Sequence, residues 1–272
     1  MQTDMPRPVP PVRPLPEVLE ALRERGLRRG VNPGPMTPGA LPTGHPTLDA
    51  ALRTGGWPRG AAVLLDAPPG SGATSLALGS VAAVQAGSGL AAWIDAAASF
   101  DPAGAAGRGV QLEWLLVARP RDPAEGLELA GWLARSRLLD LLVIDLGGGG
   151  GVSARAFDHL AQLLARAGGL ALLLANGRAA REVAARSAGV RLSLSRTAWL
   201  SVGRDLVGQR VSAEVTRHRW ALSGGRAELD LWFAEGLRID PLLPSLAKPQ
   251  PVLPATVQPG ESGEPSALRV VS

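Results

Sequence analysis

A short segment of this chain has the composition of an anion site. It is Ala67-Pro68-Pro69-Gly70-Ser71-Gly72-Ala73-Thr74, set between the apolar run Ala61-Ala62-Val63-Leu64-Leu65 and a helix-like stretch from Thr74 to about Ala86. A buried strand, a glycine-containing loop and a helix, in that order, form the context of a phosphate-binding loop, whose full pattern is G-x-x-x-x-G-K-[ST]. Gly72 and Thr74 match; Ala67 stands at the first glycine and Ala73 at the lysine. Backbone N–H groups at the helix start still favour an anion, and the Thr74 hydroxyl could still reach a bound Mg²⁺. Ala73 supplies no charge for β- and γ-phosphates. A plain strand-to-helix turn of small residues would read the same way. A second group adds to the pattern: Asp145 closes the apolar run Leu141-Leu142-Val143-Ile144. An aspartate at the end of a buried strand is the usual second holder of Mg²⁺ beside a phosphate loop, and it is also a common strand-end residue. Gly70, Ser71, Gly72, Thr74 and Asp145 are therefore the candidate nucleotide-binding set, with Thr74 and Asp145 as metal ligands only if a Mg²⁺-nucleotide binds.

Composition narrows the chemistry further. The chain has 272 residues, 28 Lys+Arg against 24 Asp+Glu and a formal net charge of +4. Lys248 is the sole lysine, so the charge missing at position 73 has no ready lysine substitute. The absence of cysteine excludes disulfides, thiolate metal sites and a cysteine nucleophile. Three histidines, His45, His159 and His218, argue against a histidine-rich metal centre, and His159 has no identifiable partner for a catalytic triad. Met1 to Pro16 lacks an apolar stretch of signal-peptide type, and no run of about 18 apolar residues exists. The expectation is a cytoplasmic protein without a membrane span.

The elements that must position these groups follow from periodicity. Continuous apolar runs at 61–65, 90–94, 114–117, 141–144 and 170–174 read as strands buried on both faces. They alternate with helical stretches at 74–86, 123–133 and 154–167, which implies βαβ units and a mainly parallel sheet. After Val190 the pattern becomes two-residue: Val211, Ala213 and Val215, then Leu229, Leu231 and Phe233, with a turn at Ser223-Gly224-Gly225. These read as antiparallel strands completing the sheet. Three regions result: a Pro-rich arm with a helix over residues 16–29 (1–40), an α/β core (41–240), and a Pro-rich tail without regular structure (241–272).

Beyond the loop, the core resembles the RecA family from about Leu41 to Ile239. The similarity is carried by Thr43-Gly44-His45-Pro46-Thr47-Leu48-Asp49-Ala50-Ala51-Leu52, Gly55-Gly56-Trp57-Pro58-Arg59-Gly60, Trp93-Ile94-Asp95-Ala96 with Phe100-Asp101-Pro102, and Asp205 to Arg210 with Ala227 to Leu231. The resemblance implies a RecA-like P-loop NTPase fold, with Ala97 at the position of the water-activating glutamate and the γ-phosphate-sensing glutamine falling near Gly177. With Ala73, this implies a pseudo-ATPase that binds ATP/Mg²⁺ without turnover, or binds no cofactor. The segments matching the family's DNA-binding loops are a glycine run, 147–151, and a short Arg/Ala stretch after Asn176. Arg178, Arg181, Arg186 and Arg191 are the residues there that could touch DNA, weakly. Arg217 and Arg219 match a basic pair aimed across a subunit interface.

The Trp-Pro-Arg-Gly entry and the absent lysine are also similar to the ImuA proteins, RecA-related accessory proteins of damage-induced mutagenesis. That similarity implies RecA-type recombinase or translesion polymerase components as partners. Two other readings stay open: a divergent, active DNA-dependent ATPase using Arg217 or Arg219 of a neighbour, and a purely structural interaction module.

Overall fold

The computed structural model describes residues 39–147, 153–175, 178–233 and 268–271. Residues 1–38 of the expected N-terminal arm, with its helix, lie outside them. Eleven strands and six helices of interest here run β1 (Ala40–Leu41), α1 (Pro46–Ala51), β2 (Trp57–Pro58), β3 (Ala62–Asp66), α2 (Ala73–Ala86), β4 (Ala91–Asp95), α3 (Pro102–Gly107), β5 (Leu115–Ala118), α4 (Pro123–Ser136), β6 (Leu141–Asp145), α5 (Ala154–Ala167), β7 (Leu170–Leu174), α6 (Arg178–Ser187), β8 (Val190–Val202), β9 (Asp205–His218), β10 (Arg226–Trp232) and β11 (Leu268–Val271).

One sheet carries the core, in the order β10-β9-β8-β3-β7-β6-β4-β5, with β11 pairing β8. β3, β4, β5, β6 and β7 run parallel, as does the β3–β8 pair; β8, β9 and β10 are antiparallel. Thus the mixed α/β sheet expected from the two periodicities forms. The parallel strands read as unbroken apolar runs because both faces are covered. Val63, Leu65, Trp93, Val143 and Leu172 pack on the α2 side, while Leu64, Ile94, Ile144 and Leu173 pack with α4, α5 and α6 on the other. On α5, Phe157, Leu160 and Leu164 are the buried stripe, at the spacing that brings side chains to one helical face.

The residues ahead of β3 form a clasp on α2. Leu41 pairs Trp57 across β1–β2. The Trp57 Nε1–H donates to Ser80 Oγ at 3.0 Å, and Ser80 donates to the Thr43 carbonyl at 2.8 Å. Asp49 accepts the Thr43 N–H at 2.9 Å. A Cβ on Gly56 would lie 2.3 Å from the Leu41 carbonyl oxygen, so only glycine passes there. The Thr-Gly, Leu-Asp and Gly-Gly-Trp pieces of the sequence are thus the parts that hold α2 against the sheet.

Three differences from the sequence reading stand out. Arg178–Ser187 forms a regular helix where only a short stretch was expected; Arg178 and Glu182, four residues apart, pair at 2.8 Å on its surface, a spacing that supports a helix. Ala40–Leu41, at the boundary of the expected arm and core, pairs as a strand. Leu268–Val271, within the expected tail, pairs antiparallel with Trp199–Val202 of β8. Its short apolar stretch meets the part of β8 that extends past its pairing with β3, at Val190–Ser193. Among the described residues no helix is long and apolar enough to cross a membrane.

The turn after β9 depends on a neutral histidine. His218 Nδ1 accepts the N–H groups of Trp220 at 3.1 Å and Ala221 at 2.9 Å. Burial lowers the His218 pKa, and a proton on Nδ1 would abolish both bonds. Because the folded pKa lies below the unfolded one of about 6.5, this contribution is complete above that pH and is lost as pH falls through the interval down to the folded value. Thermal melts from pH 8 to pH 5 are expected to show a falling midpoint below about 6.5. His218→Asn, whose amide oxygen can accept the same N–H groups, should flatten that fall; a fall of unchanged steepness would contradict the assignment.

Candidate functional site

β3 and α2 place the candidate loop at the carboxyl end of the parallel sheet, where ligands bind in open α/β folds. Gly70 and Gly72 have φ of +77° and +91°, a left-handed conformation that glycine adopts without strain. Gly72 is the N-cap of α2. Ser71 is turned into the loop: its hydroxyl donates to the Pro68 carbonyl at 2.6 Å. Thr74 is exposed in the first turn of α2, and Ala73 packs against the core. No acidic residue occupies that first turn, so its N–H groups keep their positive end uncompensated locally.

The loop is closed from the side by the antiparallel strands. A Cβ on Gly72 would meet Leu231 Cδ1 at 2.4 Å, the end of the Gln209 amide at 3.0 Å and Val211 Cγ2 at 3.3 Å. With its oxygen facing Gly72, the buried Gln209 amide accepts the Gly72 N–H at 3.2 Å and donates to the Gly70 carbonyl at 2.9 Å. Arg196 also donates to the Gly70 carbonyl at 3.4 Å, and its guanidinium lies 4.0 Å from the centre of the Trp199 ring. A bulge between Arg196 and Ala198 interrupts β8 there, as bulges do where a side chain is re-aimed. On the α2 side, Arg108 donates to Ser75 Oγ and to the Trp232 carbonyl, each at 3.2 Å, and to the Gly104 carbonyl at 2.9 Å.

Asp145 ends β6 beside Asp95 of β4, its partner in the ladder. Both are buried. Asp145 accepts the Gly147 N–H at 3.0 Å and the Ser99 hydroxyl at 2.9 Å. Asp95 accepts the N–H groups of Ser99 at 2.8 Å and Phe100 at 3.1 Å, and pairs with Arg119 at 3.1 Å. Burial pushes the Asp145 carboxyl above the ordinary carboxylate range; Gly147 and Ser99 pull it back, and the charge of Asp95 adds to the rise. Ala97 lies against this corner, since a Cβ on Gly147 would approach its Cβ to 3.1 Å. Position 177 lies outside the described residues.

The basic candidates divide. Arg178 pairs with Glu182, and Arg181 pairs with Asp66 of β3 at 3.2 Å. Arg191 and Arg217 both donate to the Ala185 carbonyl, at 3.3 and 3.1 Å, and Arg217 also donates to the Arg186 carbonyl at 3.3 Å. Two guanidinium groups thus cap the C-terminal end of α6, whose dipole favours cations. Arg186 is exposed, and so is Arg219, which lies 5.7 Å from the Trp220 ring centre. Since β8 starts beside Val63 and passes Asp66 at Ser193, while His218 pairs with Val190, Arg217 and Arg219 lie at the opposite end of the sheet from the loop.

Sequence reasoning missed Gln209, Arg196, Arg108 and Ser99. Gln209 was detectable: it shares the inward face of β9 with Val207, Val211, Ala213 and Val215, and a polar residue in such a row needs a buried partner. Arg196 and Arg108 have no comparable periodic cue.

A parallel sheet with a glycine-bent loop after β3 and an aspartate closing β6 defines an α/β protein of the phosphate-loop class, here without the loop lysine. Residues 35–149 match the family model described as the RecA N-terminal domain. Protein RecA of Salinispora arenicola is 30% identical over 247 residues, covering 78% of this chain and 70% of that one. Protein RecA of Frankia casuarinae is 32% identical over 230 residues, covering 73% and 67%. This chain belongs to the RecA family.

The position of Asp145 generates a test. A carboxyl whose folded pKa is raised contributes fully below its unfolded pKa of about 3.9 and loses that contribution as pH rises through the folded value. An asparagine at 145 could accept the Gly147 N–H and donate to Ser99 without a buried charge. Asp145→Asn is therefore expected to melt at or above the wild-type temperature at pH 7 to 8, with the gap closing toward pH 4. A drop of more than about 5 °C at pH 7.5, roughly a kcal/mol or more, would show that the charged form is required.

Proposed function

We propose that this RecA-family protein does not turn over ATP and acts as an accessory in DNA repair, in damage-induced translesion mutagenesis. It works through contacts with a RecA-type recombinase or translesion polymerase components, in the cytoplasm, as the similarity to ImuA implies. The observation that carries the first half is Ala73 at the start of α2, in a chain whose sole lysine is Lys248. Phosphoryl transfer requires charge stabilisation at the transferring group and an oriented water. Ala73 offers no cation, and Ala97 no carboxylate. Thr74 and Asp145 would hold Mg²⁺ with a nucleotide bound by the backbone of Gly70, Ser71 and Gly72; such a complex would report occupancy without spending it.

Weak DNA contact through Arg178, Arg181, Arg186 and Arg191 is part of this reading, although the salt links to Glu182 and Asp66 and the bond to Ala185 compete with it. Exposed Arg186 has the least competition. Contacts of this kind weaken steeply with salt.

A second reading, a divergent active ATPase, draws on the placement of Arg219. Its side chain is exposed at the end of the sheet away from its own loop, so it could serve only another copy's nucleotide.

Affinity capture of the full chain from DNA-damaged cells tests the accessory role. The expected result is recovery of a recombinase or a translesion polymerase component, equally with Thr74→Ala, because partner contact does not require turnover. Recovery of neither would contradict the reading. Recovery that depends on Thr74, together with ATP hydrolysis lost in Arg219→Ala, would favour the second.

A further inference from the structure

The loop that should receive an anion is already liganded by the protein. In an open phosphate loop, successive N–H groups converge on empty space that a phosphate fills. Here the Gly72 N–H is met by the Gln209 amide oxygen at 3.2 Å, and the same amide donates to the Gly70 carbonyl at 2.9 Å. Gln209 is 4% exposed. Its neighbours on the loop side, Val211 and Leu231, come so close to Gly72 that a methyl group there would force the Leu231 side chain to shift. An anion reaching the Gly72 N–H would have to displace a buried, doubly bonded side chain. Arg196 adds a further bond to the Gly70 carbonyl at 3.4 Å.

We propose that Gln209 is an autoinhibitory latch: β9 inserts a neutral amide into the position of the anion and holds the loop shut against nucleotide. The inference rests on the reading of the loop as a nucleotide-site remnant without turnover and adds its control. Release requires β9 and β10 to draw back from α2, and Leu231 would move with them. The hairpin thereby couples loop occupancy to whatever grips the antiparallel edge of the sheet. The latch also explains how a loop without its lysine keeps its shape when empty, since one amide bonds both the Gly72 N–H and the Gly70 carbonyl.

Hydrogen exchange read by mass spectrometry over 68–75, in the full-length chain with and without MgATP, tests the latch. The wild-type loop is expected to exchange slowly and to be indifferent to MgATP. In Gln209→Ala, exchange at the Gly72 amide should accelerate roughly tenfold or more, and MgATP should restore protection. Gln209→Met keeps the side-chain volume against Leu231 and loses both bonds; it should accelerate exchange as well, and serves if the alanine variant does not fold. Equal exchange in wild type and variants would overturn the latch. Equal protection of all by MgATP would also overturn it, and so would fast exchange in the variants that MgATP leaves unchanged, which would make the amide a structural brace. Hydrolysis of MgATP by the wild-type chain would defeat the non-turnover reading and leave the exchange comparison intact.

Discussion

The start of α2 presents backbone N–H groups with no acid in the first turn and no lysine to draw in a phosphate. Such a terminus demands an acceptor. The protein meets part of the demand from inside, through the Gln209 amide, and the surrounding structure follows from that bond. Gly72 holds a φ of +91° that favours glycine, and Leu231 and Gln209 fill the space beside it. β9 must carry a polar residue on its apolar face. The β8–β9–β10 sheet must pack tightly on the loop, so Arg196 can lie over Trp199 and reach Gly70.

A similar economy governs the acidic corner. Asp95 and Asp145 stand side by side at the ends of β4 and β6, which puts two carboxyl groups at one corner of the sheet. Here their oxygens are taken up by Ser99, Phe100, Gly147 and Arg119. Among the described residues no group of three or more His, Cys, Asp or Glu is disposed to hold a metal ion. The arginines behave alike: Arg191 and Arg217 cap α6, Arg181 meets Asp66, and Arg178 meets Glu182. These side chains tie strands and helices together.

Much of this architecture was legible in the residues. The runs around Val63, Ile94, Val143 and Leu172 could only be strands covered on both faces, and the alternation from Val211 to Val215 could only be an antiparallel partner. Position 73 exposed the missing charge directly. The strand Leu268–Val271 was not legible, because a four-residue pairing at a sheet edge has no periodicity long enough to separate it from a Pro-rich context. Nor was the helix Arg178–Ser187, whose charged, alanine-rich sequence left its two arginine caps, 191 and 217, to be found only in three dimensions. Gln209 lay in view but was grouped with its strand. Periodicity identifies which face a residue occupies; what it meets across the core depends on β9 crossing in front of a loop some 140 residues earlier in the chain.

The proposed reading is of a RecA-family protein that keeps the family's sheet and does not carry out phosphoryl transfer. Single-turnover phosphate release, with the protein in excess over ATP and single-stranded DNA present, addresses this most directly when the wild type is compared with Thr74→Ala. The account predicts release at the uncatalysed background for both proteins. Release of one phosphate per ATP by the wild type, abolished in Thr74→Ala, would contradict it.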